Sequence, residues 1–455
     1  MSFTEIPLLA ARWFLLANIV LAAWLYGGTR DWTRELVTWL LLANTILFLV
    51  GVAAKCRFSR VPLVAMIAVF FLSLQCGLMA WNARRQFLDG VGVFVDRIQP
   101  MPGRPGFWDF AMVMPSLWLA AGLLGAFCIA CDMAGEREWR ERFWVTVAGT
   151  GLSIVVLGLA QRLTGADDIF WGLETRRGPT FFAVFRYHAN AGAFINLVLP
   201  LQVALAVRAF QREGAEAYRV FWALAAMVTA AAGFVNASKA ANAICLFLLV
   251  AMVVWFATSG LRARGARNWL IALVSMLVVA GVATSFGLEK TFSRWNAETS
   301  GRGSVSSEGR IEAYRIIIRG ALPEAGWWGF GPGTFEKVFD IHRSALGSPL
   351  AGRWDKAHSD ALQTMMEWGL AGAAAWLVLL AGGFWKSFLA ARSDSDCAPV
   401  AAGCAFALGG VMLHALVDFP LQISSLQLIT VLLAGLSWGF DRNAPRALRN
   451  SRSRL

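Results

Sequence analysis

His358 stands at the head of an apolar helix, directly after a long polar tract running from Leu288 to Ala357. An imidazole placed there can take a proton from a hydroxyl, because it titrates near neutrality and the positive end of a helix dipole disfavours its charged form. The plainer role is that of an interfacial capping residue. Within the tract, Ser307 to Arg315 has the pattern of an amphipathic helix start and carries Arg310 and Arg315, with Arg319 beyond. Guanidinium groups grip phosphate oxygens through paired donors, although on such a helix they also serve as snorkelling surface charges. Gly329-Phe-Gly331-Pro-Gly333 excludes regular helix, permits positive φ and exposes backbone N–H groups.

Three further points carry polar groups. Lys239 lies between two apolar runs with almost no loop to hold it. A charge in the hydrocarbon core costs about 2.5–3.5 kcal/mol on insertion scales, and such residues are functional by default; the alternative is a lysine snorkelling from a tight hairpin. Arg186-Tyr-His188-Ala-Asn190 opens another apolar run, preceded by Arg176 and Arg177, so His188 and Asn190 either line the same site or anchor a helix end. His414 and Asp418 are four residues apart, which puts them on one helix face; the expectation there is a structural hydrogen bond rather than catalysis. Cations, turn glycines and a histidine gathered at one lipid–water boundary point to an anionic, lipid-borne substrate.

What must position these groups is membrane-spanning helix. Hydrophobic residues make up 57% of the chain and charged residues 15%, the composition of an integral membrane protein. A bilayer core needs about 20 helical residues to cross. Apolar runs near that length fall at 8–28, 35–54, 61–81, 109–131, 143–162, 188–209, 219–236, 239–258, 269–287, 370–386, 399–416 and 424–440, giving an all-α polytopic chain of about twelve spans. The first run is long enough to stay as a span rather than act as a cleaved signal. The organisation expected is N-terminal spans over 1–140, central spans over 141–287, a large loop over 288–357, C-terminal spans over 358–440 and a basic tail over 441–455.

Charge sets the orientation. With the N-terminus in the cytoplasm, the inward connections hold Lys55 to Arg60, Arg137 to Arg142, Arg208 to Arg219, Arg262 to Arg267, Lys386 to Arg392 and the tail from Arg442, about half of the 41 basic residues. Both termini are then cytoplasmic and the large loop faces outward, into the periplasm of a diderm cell. The net charge of +12 is accounted for by this topology and by anionic membrane lipids, without nucleic acid. Cys128 and Cys131 have redox-motif spacing but sit within an apolar helix, where they read as small buried hydrophobes. No HExxH, Walker loop or dinucleotide fingerprint is present, so a zincin site, ATP and NAD find no support in the sequence, and no cofactor is expected.

Taken together, these stretches resemble the family of O-antigen ligases and polymerases, which includes exopolysaccharide polymerases and protein O-oligosaccharyltransferases. Asn236-Ala-Ser238-Lys239-Ala is similar to the family's Ser-Arg-Gly-Ala segment, and Gly309-Arg310 with Tyr314 to its Gly-Arg-x-x-x-Trp segment. Gly329 to Phe335 resembles its Gly-x-Gly-x-Gly-x-Phe turn, and His358-Ser359 with Leu362, Glu367 and Gly369 its histidine motif. His414 to Gln422 resembles a late His-x-x-x-Asp-Phe run in some members. The resemblance covers roughly 180–440 and implies a GT-C-like arrangement with one large extracytoplasmic loop. It also implies inverting, metal-independent transfer of a glycan from a polyprenyl diphosphate carrier to an acceptor hydroxyl on glycan, lipid A core or protein. His358 would then activate or orient the acceptor, and Arg310, Arg315 and Lys239 would hold the diphosphate, with His188, Asn190, His414 and Asp418 in support. Lys239 stands where the family has arginine, which keeps the charge and loses the bidentate fork.

A transporter or flippase for a polysaccharide precursor or small anion is the rival from another class. Transporters commonly repeat one half in the other, whereas the large loop and the histidine motif have no counterpart in the first half. A structural assembly partner with a degenerate site is the third reading. The three differ in whether Lys239, Arg310 and His358 converge.

Overall fold

The computed structural model describes residues 5–55, 60–88, 90–172, 181–212, 214–236, 238–258, 307–393 and 395–440. It is an all-α polytopic membrane protein with ten helices long and apolar enough to cross a bilayer among the described residues. They are α1 (Ile6–Trp24), α2 (Asp31–Ala54), α3 (Leu63–Trp81), α4 (Phe110–Met133), α5 (Arg137–Leu163), α6 (His188–Phe210), α7 (Glu216–Val235) and α8 (Lys239–Thr258), then, beyond the loop, α12 (Asp360–Ala391) and α13 (Ala398–Val417). An eleventh apolar helix, α14 (Ser424–Trp438), has only 15 residues. The run expected at 269–287 and the tract from 288 to 306 lie outside the described residues, as do Arg176, Arg177 and the basic tail. Helix dominates because hydrocarbon offers backbone groups no water, and a helix satisfies them within its own segment.

The helices share their burial unequally. α6 is buried on nearly every side and packs against α5, α7, α8 and α13, so it is the central post of the bundle. Peripheral helices turn large apolar side chains outward, among them Ile46, Leu63, Phe70 and Leu377, as lipid-facing surfaces require. Cys128 and Cys131 lie in α4 as free thiols, one partly and one fully buried. A two-stranded hairpin, β1 (Arg85–Leu88) with β2 (Val93–Asp96), joins α3 to α4.

The polar tract is folded rather than loose where it is described. α9 (Ser307–Ile316) runs through a π turn at Ile317–Ala321 into α10 (Leu322–Ala325), and after the glycine turn comes α11 (Phe335–Ala345). Ala313, Ile316, Ile317 and Ala321 form a small core with Phe335, Val338, Phe339 and Trp354. α9 is therefore amphipathic as its sequence indicates, with one face committed to this core.

α12 begins ten residues earlier than its apolar run, and Gly369, at φ 68 and ψ 178, breaks it. The glycine turn fills the break. Phe330 N–H donates to Met366 O at 3.1 Å and Gly331 N–H to Glu367 O at 2.8 Å, while Leu370 and Ala371 N–H return bonds to Gly326 O and Trp327 O. A Cβ on Gly369 or on Gly329 would collide with the main chain of the other segment, so the close approach needs glycine at both. The expectation that this turn exposes its N–H groups is corrected by the structure. Gly329, Phe330 and Gly331 spend theirs within the protein, and the turn is a clasp that seals a broken helix at its entry to the bundle.

Candidate functional site

One end of the bundle gathers the starts of α6, α8, α12 and α14 and the close of α13. Here α13 stops at Val417, and Asp418 turns to extended backbone at φ −154 and ψ −167. That turn decides the site. The side-chain hydrogen bond expected between His414 and Asp418 is not made: Asp418 N–H still donates to His414 O at 2.9 Å, but its own φ and ψ turn the carboxylate away from the helix face. Both ring nitrogens of His414 lack a hydrogen-bond partner among the described residues. Asp418 instead meets His358, Oδ1 lying 3.3 Å from Nδ1.

His358 directly precedes Ser359, whose Oγ caps α12 by accepting from Leu362 N–H. Trp354 and Phe419 close on its ring edge-on, with centroids 5.9 and 5.0 Å away. Its backbone is left-handed at φ 53, and its carbonyl accepts a hydrogen bond from the Tyr314 hydroxyl at 2.5 Å. Asp360 ties the following turn in place: its carboxylate accepts from Leu421 N–H at 2.7 Å and Gln422 Nε2 at 3.1 Å, while its own N–H donates to Asp418 O.

Around Asp418 the remaining polar groups converge. Its Oδ1 also accepts from Phe419 N–H, and the Tyr187 hydroxyl approaches Oδ2 at 3.5 Å with its ring stacked on Phe419. Arg310 reaches the same turn, its Nη1 donating to Val417 O at 3.4 Å, while its buried Nε has no hydrogen-bond partner among the described residues. Burial works against the Asp418 carboxylate, yet the hydrogen bond from His358 and the charges of His358, Arg310 and His414 hold it below the usual carboxylate range. Tyr187 is pushed up to about 12 by burial and by the charge of Asp418. An ionised carboxylate only accepts, so Nδ1 of His358 is the donor in this contact, and in a neutral imidazole that leaves the lone pair on Nε2.

The other sequence-predicted residues fall at different distances from this centre. His188 and Asn190 open α6 beside Tyr187, the His188 and Tyr187 rings lying 5.0 Å apart. Lys239 is the first residue of α8, and the turn before it is joined to α6 by Asn236, which donates to His188 O at 2.7 Å. Lys239 thus stands at the same end of the bundle, exposed at the head of α8. Arg315 is not brought to the centre. It lies about 140° around α9 from Arg310 at 100° per residue and pairs with Glu312 at 3.6 Å.

Residues 225–377 match the family model for O-antigen ligase. The chain carries an O-antigen ligase domain. That domain supports a function broadly of the O-antigen ligase or polymerase type, a family that implies lipid-linked glycan and acceptor partners in general. No curated protein gives a significant match to the chain. The ligase domain takes in Lys239, Arg310, Arg315 and His358 and ends before Asp418, although Asp418 folds back onto the domain's histidine. Tyr187, Trp354, Asp360 and Phe419 escaped the sequence reading. One signal was available for the first: the chain has 4 tyrosines against 32 phenylalanines, and two of the four, Tyr187 and Tyr314, stand at Asp418 and His358 respectively.

Proposed function

We propose that the protein transfers a glycan from a polyprenyl diphosphate carrier to an acceptor hydroxyl at the outer face of a bacterial inner membrane. The observation that carries this reading is the His358–Asp418 pair, with Arg310 on the same turn, in a chain with an O-antigen ligase domain. The acceptor O–H gives its proton to Nε2 of His358, and its oxygen attacks the anomeric carbon of the donor. The bond from that carbon to the diphosphate oxygen breaks on the opposite face, so the anomeric configuration inverts. The diphosphate departs with the electron pair, and Arg310, together with Lys239, neutralises the charge that develops on it. Two protein cations suffice for this task, so the reading calls for no metal or nucleotide. Asp418 keeps the imidazole in the tautomer that leaves Nε2 basic and steadies the imidazolium once formed. The distribution of basic residues supports cytoplasmic termini and a periplasmic site.

Ligase, polymerase and protein-glycosylating reactions share this step and differ in acceptor. The test is to profile lipopolysaccharide, exopolysaccharide and glycoprotein in a deletion strain complemented with wild type or His358→Ala. Long glycans should vanish on deletion and return with wild type alone, and the species lost names the acceptor. Full complementation by His358→Ala, with normal membrane insertion, would remove the histidine from the mechanism and restore the transporter reading.

A further inference from the structure

We infer that Tyr314 is a positioning residue for His358, through which the helix that carries Arg310 sets the geometry of the acceptor base; the inference rests on the glycosyl-transfer reading above. His358 holds a left-handed backbone at φ 53, a conformation that an L-residue keeps only where its surroundings over-determine it. Three bonds do so here. Asp418 holds the ring through Nδ1, the Asp360 N–H holds the next turn through Asp418 O, and the Tyr314 hydroxyl holds the His358 carbonyl at 2.5 Å. The first two come from the transmembrane bundle. The third comes from α9, an element of the large loop.

Arg310 and Tyr314 are four residues apart and share one face of α9. That face grips the α13–α14 turn through Arg310 and Val417 O, and the head of α12 through Tyr314 and His358 O. The two contacts straddle the His358–Asp418 pair. Behind them, Ala313, Ile316 and Ile317 pack on Val338 and Phe339, so α9 moves as a body with its small core. A displacement of Arg310 on taking up diphosphate is therefore delivered to the His358 backbone by one rigid helix. Burial raises the Tyr314 phenol above its ordinary value, which keeps it a donor. Donor recognition and acceptor activation are thus linked: the ring is aligned when the clamp helix is seated.

The experiment uses the full-length protein purified in detergent. The donor is the polyprenyl-diphosphate-linked glycan extracted from a strain lacking the protein, and the acceptor is the unextended species that the deletion profile identifies in that strain; product is read on gels. Tyr314→Phe removes one oxygen and should lower kcat about tenfold, the effect of about one hydrogen bond, with donor KM within about twofold and the melting temperature unchanged. Its loss should also overlap that of Asp418→Asn, the double variant being less impaired than the product of the two single losses, because both act through one ring. Should Tyr314→Phe fail to fold, Tyr314→Met lacks the donor, repacks more freely and carries the same readout. A wild-type kcat, a loss confined to donor KM, or fully multiplicative losses with Asp418→Asn would overturn the inference. Activity in His358→Ala overturns the base reading itself, which a wild-type Tyr314→Phe alone leaves standing.

Discussion

Arginines sit at both ends of the bundle and are treated in opposite ways. Where α1 begins and α4 finishes, Arg12 reaches Asp132 at 2.7 Å and Glu136 at 2.8 Å, and Arg60 shares both carboxylates. Nearby, Arg208 at the close of α6 is paired with Glu141 at the start of α5. Arg12 and Arg208, both buried, each have a carboxylate there, and these pairs pin four helices, while buried Arg140 is held by Ala134 O. At the other end Arg310 meets a main-chain carbonyl and has no carboxylate within ion-pair distance among the described residues, while Asp418 is bound by an imidazole. The same residue types therefore make glue at one end and an opening at the other. A guanidinium with donors to spare, beside an imidazole with a nitrogen to spare, has capacity left for an anion and a hydroxyl; a closed ion-pair network has none.

The largest effect expected from that contrast follows from replacing the carboxylate that holds the ring. Asp418→Asn keeps the shape but can offer its N–H face to Nδ1, favouring the tautomer whose Nε2 is protonated. We expect kcat to fall by about a hundredfold or more, the range of a lost general base, at near-normal donor KM in the same gel assay. A variant that keeps wild-type kcat would show that the pair is structural, and the two ends would then differ only in appearance. Next in size is the clamp. Arg310→Ala should cost about a hundredfold, and Lys239→Arg should be tolerated better than Lys239→Ala, since both cations are asked to meet phosphate. Equal losses in the two Lys239 variants would take that residue out of the diphosphate site and leave Arg310 alone.

The fold was legible because its signal is coarse. Runs of about twenty apolar residues separated by basic turns can hardly be anything else, and α1 to α8 fall where those runs lie. The site was legible in its parts: Arg310, His358 and Asp418 each stood out by type and place. Their pairing was not. The i, i+4 spacing of His414 and Asp418 is a rule about continuous helix, and nothing in His414-Ala-Leu-Val-Asp418 announces that the helix stops one residue short. The glycine turn misled in a similar way, because positive φ predicts exposed N–H groups only if no broken helix stands by to take them. Asp360 and Tyr187 gave no local sign, since their partners are 61 and 231 residues away in the chain.

The smallest effect on catalysis should come from the best-made ion pair in the molecule. Asp132 is almost fully buried against Arg12 and Arg60, and Asp132→Asn leaves two cations with one carboxylate fewer. Removing one partner of a buried pair costs about 3 kcal/mol, because the other charge stays desolvated. The melting temperature in detergent should therefore drop well below wild type, while kcat per folded molecule stays within about twofold. Arg310→Ala should show the converse, a near-normal melting temperature with a large loss of kcat, since it breaks no ion pair. Crossing the two measurements on the two variants separates cohesion from chemistry. A loss of kcat in Asp132→Asn at full stability would mean that the paired end is coupled to transfer, and that charge cancelled in the resting protein does not stay cancelled through the reaction.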